Sequence, residues 1–129
     1  MRNTCLLLLL FTATLYARAQ SSKAAKEDKI ENKVGDLIAG LPEVMKADTY
    51  CRKKTHGKRH LVTWVARDPS VGDNYYLAKV IEDNGVAYHT WYDFKVSSKT
   101  FKIFYVDYLT GKNIPLNVWR KKKNYLGLN

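Results

Sequence analysis

The stretch Tyr75 to Val96 constrains this chain more than any other: two aromatic, β-branched runs flank Asp83-Asn84-Gly85. Asn-Gly is the strongest short hairpin signal, because both residues tolerate the positive φ of a tight type I′ turn. With Asn84-Gly85 as a two-residue loop, pairing runs outward in two sets. Asp83 faces Val86, Ile81 faces Tyr88, Lys79 faces Thr90, Leu77 faces Tyr92 and Tyr75 faces Phe94 on one side. Glu82/Ala87, Val80/His89, Ala78/Trp91 and Tyr76/Asp93 form the other. A ribbon with aromatics on both sides needs cover on at least one of them.

The covering element lies upstream. Ile30, Val34, Leu37, Ile38 and Leu41 recur at the spacing of one α-helical face. Glu27, Asp28 and Glu31 sit early, where they complement the positive helix end. Gly40 and Pro42 stop this helix, since the residue before proline disfavours helical geometry. Pro42 also suits a first helical position, and Val44, Ala47 and Cys51 repeat at i, i+3, i+7. A short second helix over Pro42–Arg52 follows from that spacing.

Further strands flank the hairpin. Leu61 to Arg67 alternates as a strand, and Asp68 to Asn74 is a turn by composition. Thr100 to Tyr108 forms a fourth strand after the turn Ser97-Ser98-Lys99. Asn113 to Trp119 reads either as a short edge strand, where Pro115 is tolerated, or as a loop leading into a helical turn near Asn117. Arg120 to Asn129 reads as a basic tail. The expectation is an α+β fold: an N-terminal helix and a short second helix packed on a four-stranded antiparallel meander. Leu77, Ile81, Tyr92, Phe94, Ile103 and Tyr105 are expected beneath the helix. Trp64, Tyr76, Trp91, Phe104 and Tyr108 are expected on the other face, either as a binding surface or covered by Ile114, Leu116 and Trp119.

The first nineteen residues read differently. Arg2 is followed by an apolar run, Cys5 to Tyr16, and by Ala17-Arg18-Ala19, an A-x-A cleavage signal. The run is shorter than the about 20 residues a spanning helix needs. Cys5 stands at the start of the apolar run, whereas a lipid-attachment cysteine follows it. The expectation is a signal peptide over 1–19, a single domain over 20–129, and a secreted or periplasmic protein with no membrane anchor after cleavage. The whole sequence carries net charge +10; cleavage removes Arg2 and Arg18 and no acid. That balance favours anionic partners. Cys51 would then be the lone cysteine, which excludes an internal disulfide and leaves a buried thiol or an intermolecular bond.

Several chemistries lack their motifs: a Gly-rich phosphate loop, G-x-S-x-G, H-E-x-x-H and C-x-x-C are all absent. Cys51, His56 and His60 offer thiolate and imidazole, the ligand types of zinc, or a nucleophile with a base. Arg52, Lys53, Lys54, Lys58 and Arg59 crowd the same loop with positive charge, which opposes a dication and would lower the thiol pKa. His89 is the distant fourth candidate. Asp68, Asp73, Glu82, Asp83 and Asp107 fall in or near turns, where acids serve structure. Basic clusters and sheet aromatics together also suit a glycan or nucleic-acid polyanion.

The pieces Tyr75-Tyr76-Leu77-Ala78-Lys79-Val80 and Phe104-Tyr105-Val106-Asp107-Tyr108-Leu109-Thr110-Gly111-Lys112 resemble the strands of PepSY-like domains of exported bacterial proteins. The second piece looks like that family's strand, ending in an acid and a Thr-Gly turn. The cystatin-like arrangement, a helix against an antiparallel sheet, is similar in outline. The PepSY-like resemblance implies an α+β module, often inhibitory or ligand-binding and not catalytic, whereas the chain has no recognisable inhibitor loop motif for the cystatin-like one; the expectation is a binding or inhibitory module with no cofactor. This chain departs from the PepSY-like pattern in its basic loop and long aromatic strands. The expected site is therefore Trp64, Tyr76, Trp91 and Tyr108 with Arg52, Lys53, Lys58 and Arg59, holding a protein or anionic polymer at the cell envelope.

Overall fold

A computed structural model describes residues 23–121. The signal-peptide reading over 1–19 and the tail beyond Lys121 lie outside the described residues. The chain divides into two compact units, Met1–Asn32 and Lys33–Asn129. The described part of the first is helical and polar, with a Lys23–Glu27 pair one turn apart.

Residues 23–39 are helical (α1), and Val34 and Ile38 are fully buried on the expected stripe. The helix stops where Gly40 and Pro42 require. Helix α2 (Pro42–Lys54) starts with proline in its first turn and buries Val44, Ala47 and Cys51, the spacing read from sequence. Among the described residues five antiparallel strands then follow in sequence order: β1 (His60–Arg67), β2 (Tyr75–Asp83), β3 (Tyr88–Ser97), β4 (Ile103–Asp107) and β5 (Lys112–Pro115). The short helix α3 (Leu116–Lys121) ends the described chain.

This is the expected α+β meander with one strand more than four. Asn113 to Trp119 resolves into both of its readings: Pro115 ends an edge strand, and Leu116 opens a helix. β4 begins later than expected. Phe101 adopts positive φ (54°) in the preceding turn, where Lys33 stands over its ring. Arg120 is not frayed tail but part of α3. Its guanidinium donates to both oxygens of the buried Glu43 carboxylate at 2.5 and 3.1 Å, tying α3 to the start of α2.

The hairpin register is wider than a two-residue turn gives. Asp83 pairs with Tyr88, so Asn84 to Ala87 form the loop. A type I′ turn needs positive φ at both central residues, but only Gly85 has it. The side chain of Asn84 accepts from the amides of Val86 and Ala87, and that of Asp83 from Gly85, which holds the four-residue loop.

A second departure matters more. Ile81 pairs with Thr90 but Val80 pairs with Tyr92, leaving Trp91 as the extra residue of a β-bulge. Side chains alternate with period two, so one inserted residue exchanges the faces of everything beyond it. Tyr92, Phe94 and Val96 therefore share a face with Tyr76, Ala78 and Val80. These six, with Val34, Ile38, Val44, Ala47, Cys51, Leu61 and Trp119, make up most of the buried core. Ile103 and Tyr105 pack against it as expected, and Trp119 stacks on Tyr105 at 4.7 Å between ring centroids. Leu77 and Ile81 do not lie under the helices; they pair with positions on the opposite, open face.

Candidate functional site

The open face is built by pairing. β1 aligns Trp64 with Lys79 and Val62 with Ile81; β2 and β3 align Lys79 with Asp93 and Leu77 with Lys95; β3 and β4 align Lys95 with Phe104. At the hairpin end of this face, Val62, Trp64, Ile81, Asp83 and Tyr88 line a hollow of about 300 Å³. Trp64 (56%) and Tyr88 (71%) stand exposed around a floor made by Ile81, which is only 6% exposed. Tyr88 was missing from the expected site, although its alternation with Ile81 in the hairpin pairing already put the two on one side.

Beside Trp64 lies an ion pair. Lys79 Nζ donates to Asp93 Oδ2 at 2.8 Å, and the Tyr108 hydroxyl donates to the same oxygen. Asp93 is buried within the sheet face by these neighbours. Its hydrogen bond, together with its charge and against the effect of burial, holds Lys79 above the ordinary lysine range. Burial and the bond to Asp93 push the Tyr108 phenol up. Tyr108 itself remains 62% exposed.

The expected aromatic quartet is thus split. Trp64 and Tyr108 stand on the open face. Tyr76 is buried in the core, and Trp91, turned inward by the bulge, meets Tyr50 of α2 edge-on. The indole of Trp91 donates to Glu82 Oε2 at 3.0 Å, while Arg59 Nη1 donates to Glu82 Oε1 at 2.9 Å. Ile114, Leu116 and Trp119 pack on the core side, so they do not cover Trp64 or Tyr108.

The basic stretch expected as a loop from Arg52 is helical as far as Lys54, and its cations divide likewise. Arg52 is held by Asp48 (2.7 Å) and Arg59 by Glu82, so both guanidinium groups serve the fold. Lys53 and Lys58 are exposed. The loop closes through Thr55, whose hydroxyl donates to the Cys51 carbonyl and accepts from the Arg59 amide. Positive φ at His56 (51°) and Gly57 (78°) then turns the chain into His60, which pairs with Asp83 at the rim of the hollow. The loop and the hollow therefore adjoin through the first residues of β1.

Cys51, His56 and His60 are not brought together. Cys51 faces the core, His56 is exposed at the turn and His60 begins a strand. Among the described residues no three His, Cys, Asp or Glu side chains gather in a metal-binding group. Burial, with Glu82 and Asp48 nearby, raises the Cys51 thiol pKa and outweighs Arg59 and Arg52, against the expectation of a cation-activated thiolate. A 3% exposed thiol also cannot reach a second chain, so the intermolecular disulfide falls away.

No helix among the described residues is long and apolar enough to cross a membrane. No family model, no curated protein and no solved structure matches this chain.

Proposed function

We propose that this chain is a small exported binding module, without catalytic chemistry of its own, that holds an anionic partner, polymer or protein, at the cell envelope. The observation that carries this reading is the hollow walled by Trp64 and Tyr88, with two exposed cations upstream of its edge strand, Lys53 in the last turn of α2 and Lys58 in the loop that leads into β1. Exposed rings gain by stacking on a partner, and the net positive charge that remains after loss of Arg2 and Arg18 favours acidic ones. The raised Cys51 thiol and the structural partners of Glu43, Asp48 and Glu82 support a non-catalytic role. Export rests on the A-x-A leader of residues 1–19.

The test is salt elution from immobilised heparin. Wild type is compared with Trp64→Ala and with Lys53→Gln/Lys58→Gln, and all three are melted alongside. The expected result is earlier elution of both variants with unchanged melting, the double lysine variant losing about one unit of salt slope per cation in contact. Elution of both variants with wild type would overturn the site.

A further inference from the structure

Among the described residues the sheet has two edges, and only one is guarded. β5 has four residues, carries Lys112 and ends at Pro115, all features that discourage another strand from adding. β1 has eight residues at the opposite edge, and between His60 and Arg67 it reads Leu61-Val62-Thr63-Trp64-Val65-Ala66, uncharged and rich in β-formers.

A side-chain contact fixes which backbone groups of β1 point outward. The Leu61 amide donates to Asp48 Oδ1 at 2.7 Å and not to β2. In a strand, the N–H and C=O of one residue point the same way and alternate along the chain. Leu61, Thr63 and Val65 therefore turn away from β2, while His60, Val62 and Trp64 face it. Asp48 caps the outward amide at one end of this edge, and the bulge between Val65 and Arg67 ends it at the other. Thr63 and Val65 present two donors and two acceptors between these limits.

We propose that this edge pairs with the same edge of a second copy of the chain, antiparallel and centred on Trp64. That register places Thr63 of each copy opposite Val65 of the other, forming four backbone hydrogen bonds through the outward amides and carbonyls of these two residues. It sets Trp64 beside its counterpart, both rings on the open face. The seam between the copies is neutral, so the net positive charge of each chain is kept off the contact. The two sheets become one of ten strands.

Sedimentation equilibrium of the purified protein at high micromolar concentration reads the pairing, with Thr63→Pro as the variant. Proline at 63 removes an outward amide and leaves the bonds to β2 in place, the position at which an edge strand tolerates it. Wild type is expected to be dimeric. Thr63→Pro, losing two of the four bonds, is expected to melt cooperatively and to dissociate at about tenfold higher concentration or more. Should Thr63→Pro not fold, Trp64→Cys decides. Directly opposed, non-hydrogen-bonded residues lie about 4.5 Å apart at Cα, within disulfide reach of about 4.4–6.8 Å, so mild oxidation should link two chains, whereas Val62→Cys should not link. A monomeric wild type, a dimer unchanged in folded Thr63→Pro, or failure of Trp64→Cys to cross-link would each overturn the proposal.

Discussion

Glu82 is 9% exposed and accepts from both the Arg59 guanidinium and the Trp91 indole, which lower its pKa in that order. One carboxylate thereby holds the basic loop and the bulged residue against the same point of β2. Glu82→Ala should cost about 1–3 kcal/mol in urea melts, because it leaves two part-buried donors without their acceptor. Cys51 belongs to the same scale. Its buried thiol should react with a disulfide reagent only as the protein unfolds, and Cys51→Ser should destabilise by about 1–3 kcal/mol by burying a hydroxyl in an apolar site. Rapid labelling of the native protein would sink the structural account of this residue.

The bulge in β3 is the element on which the faces turn. Because Trp91 is one residue in excess, Tyr92, Phe94 and Val96 reach the core, and Asp93 and Lys95 reach the open side. Phe94→Ala should cost about 3–5 kcal/mol, the range for a fully buried aromatic. Deleting Trp91 outright should remove the bulge and leave Tyr92, Phe94 and Val96 opposite Val80, Ala78 and Tyr76, so cooperative melting should survive with the loss of the indole's contacts to Tyr50 and Glu82. The aromatic substitutions separate in the same way. Tyr76→Ala with Trp91→Ala should unfold the domain, whereas Trp64→Ala should stay within about 0.5 kcal/mol of wild type. Equal losses at Trp64 and at the Tyr76/Trp91 pair would refute the division of the quartet.

Acidic groups bind the parts of the molecule together, and its pH response follows from them. Burial alone would raise Glu43, but Arg120 and the local backbone bring it below the ordinary glutamate value. Burial likewise opposes, and Arg52 and the Leu61 amide outweigh, the shift at Asp48. Glu82 is lowered as well. A depressed folded pKa contributes stability that is fully present above the unfolded value and is lost as pH falls through the folded one. Melting temperature should therefore hold down to about pH 5 and fall below about pH 4, and Glu43→Gln with Glu82→Gln should flatten that acid limb. Lys79, Tyr105 and Tyr108 are raised, so their contribution is lost as pH climbs above about 10.

Sequence periodicity by itself determined the α+β plan, the helix stop at Gly40-Leu41-Pro42, the buried stripe through Val34, Ile38, Val44, Ala47 and Cys51, and the order of the strands. These features depend on neighbours close in the chain: a period of 3.6, a period of two, and turn residues with fixed φ preferences. Only the tertiary structure decided which aromatics became core. Trp91 carries no local mark of an inserted residue. Its indole finds Glu82 and the edge of Tyr50, partners 9 and 41 positions away, and those contacts stabilise a bulge that no alternation announces. The same holds for Arg52, Arg59 and Arg120, whose charges suggested a ligand surface or a loose tail until Asp48, Glu82 and Glu43 stood beside them. Alternation is a local property and pairing is not, so one unmarked residue in a strand was enough to exchange a binding face for a core.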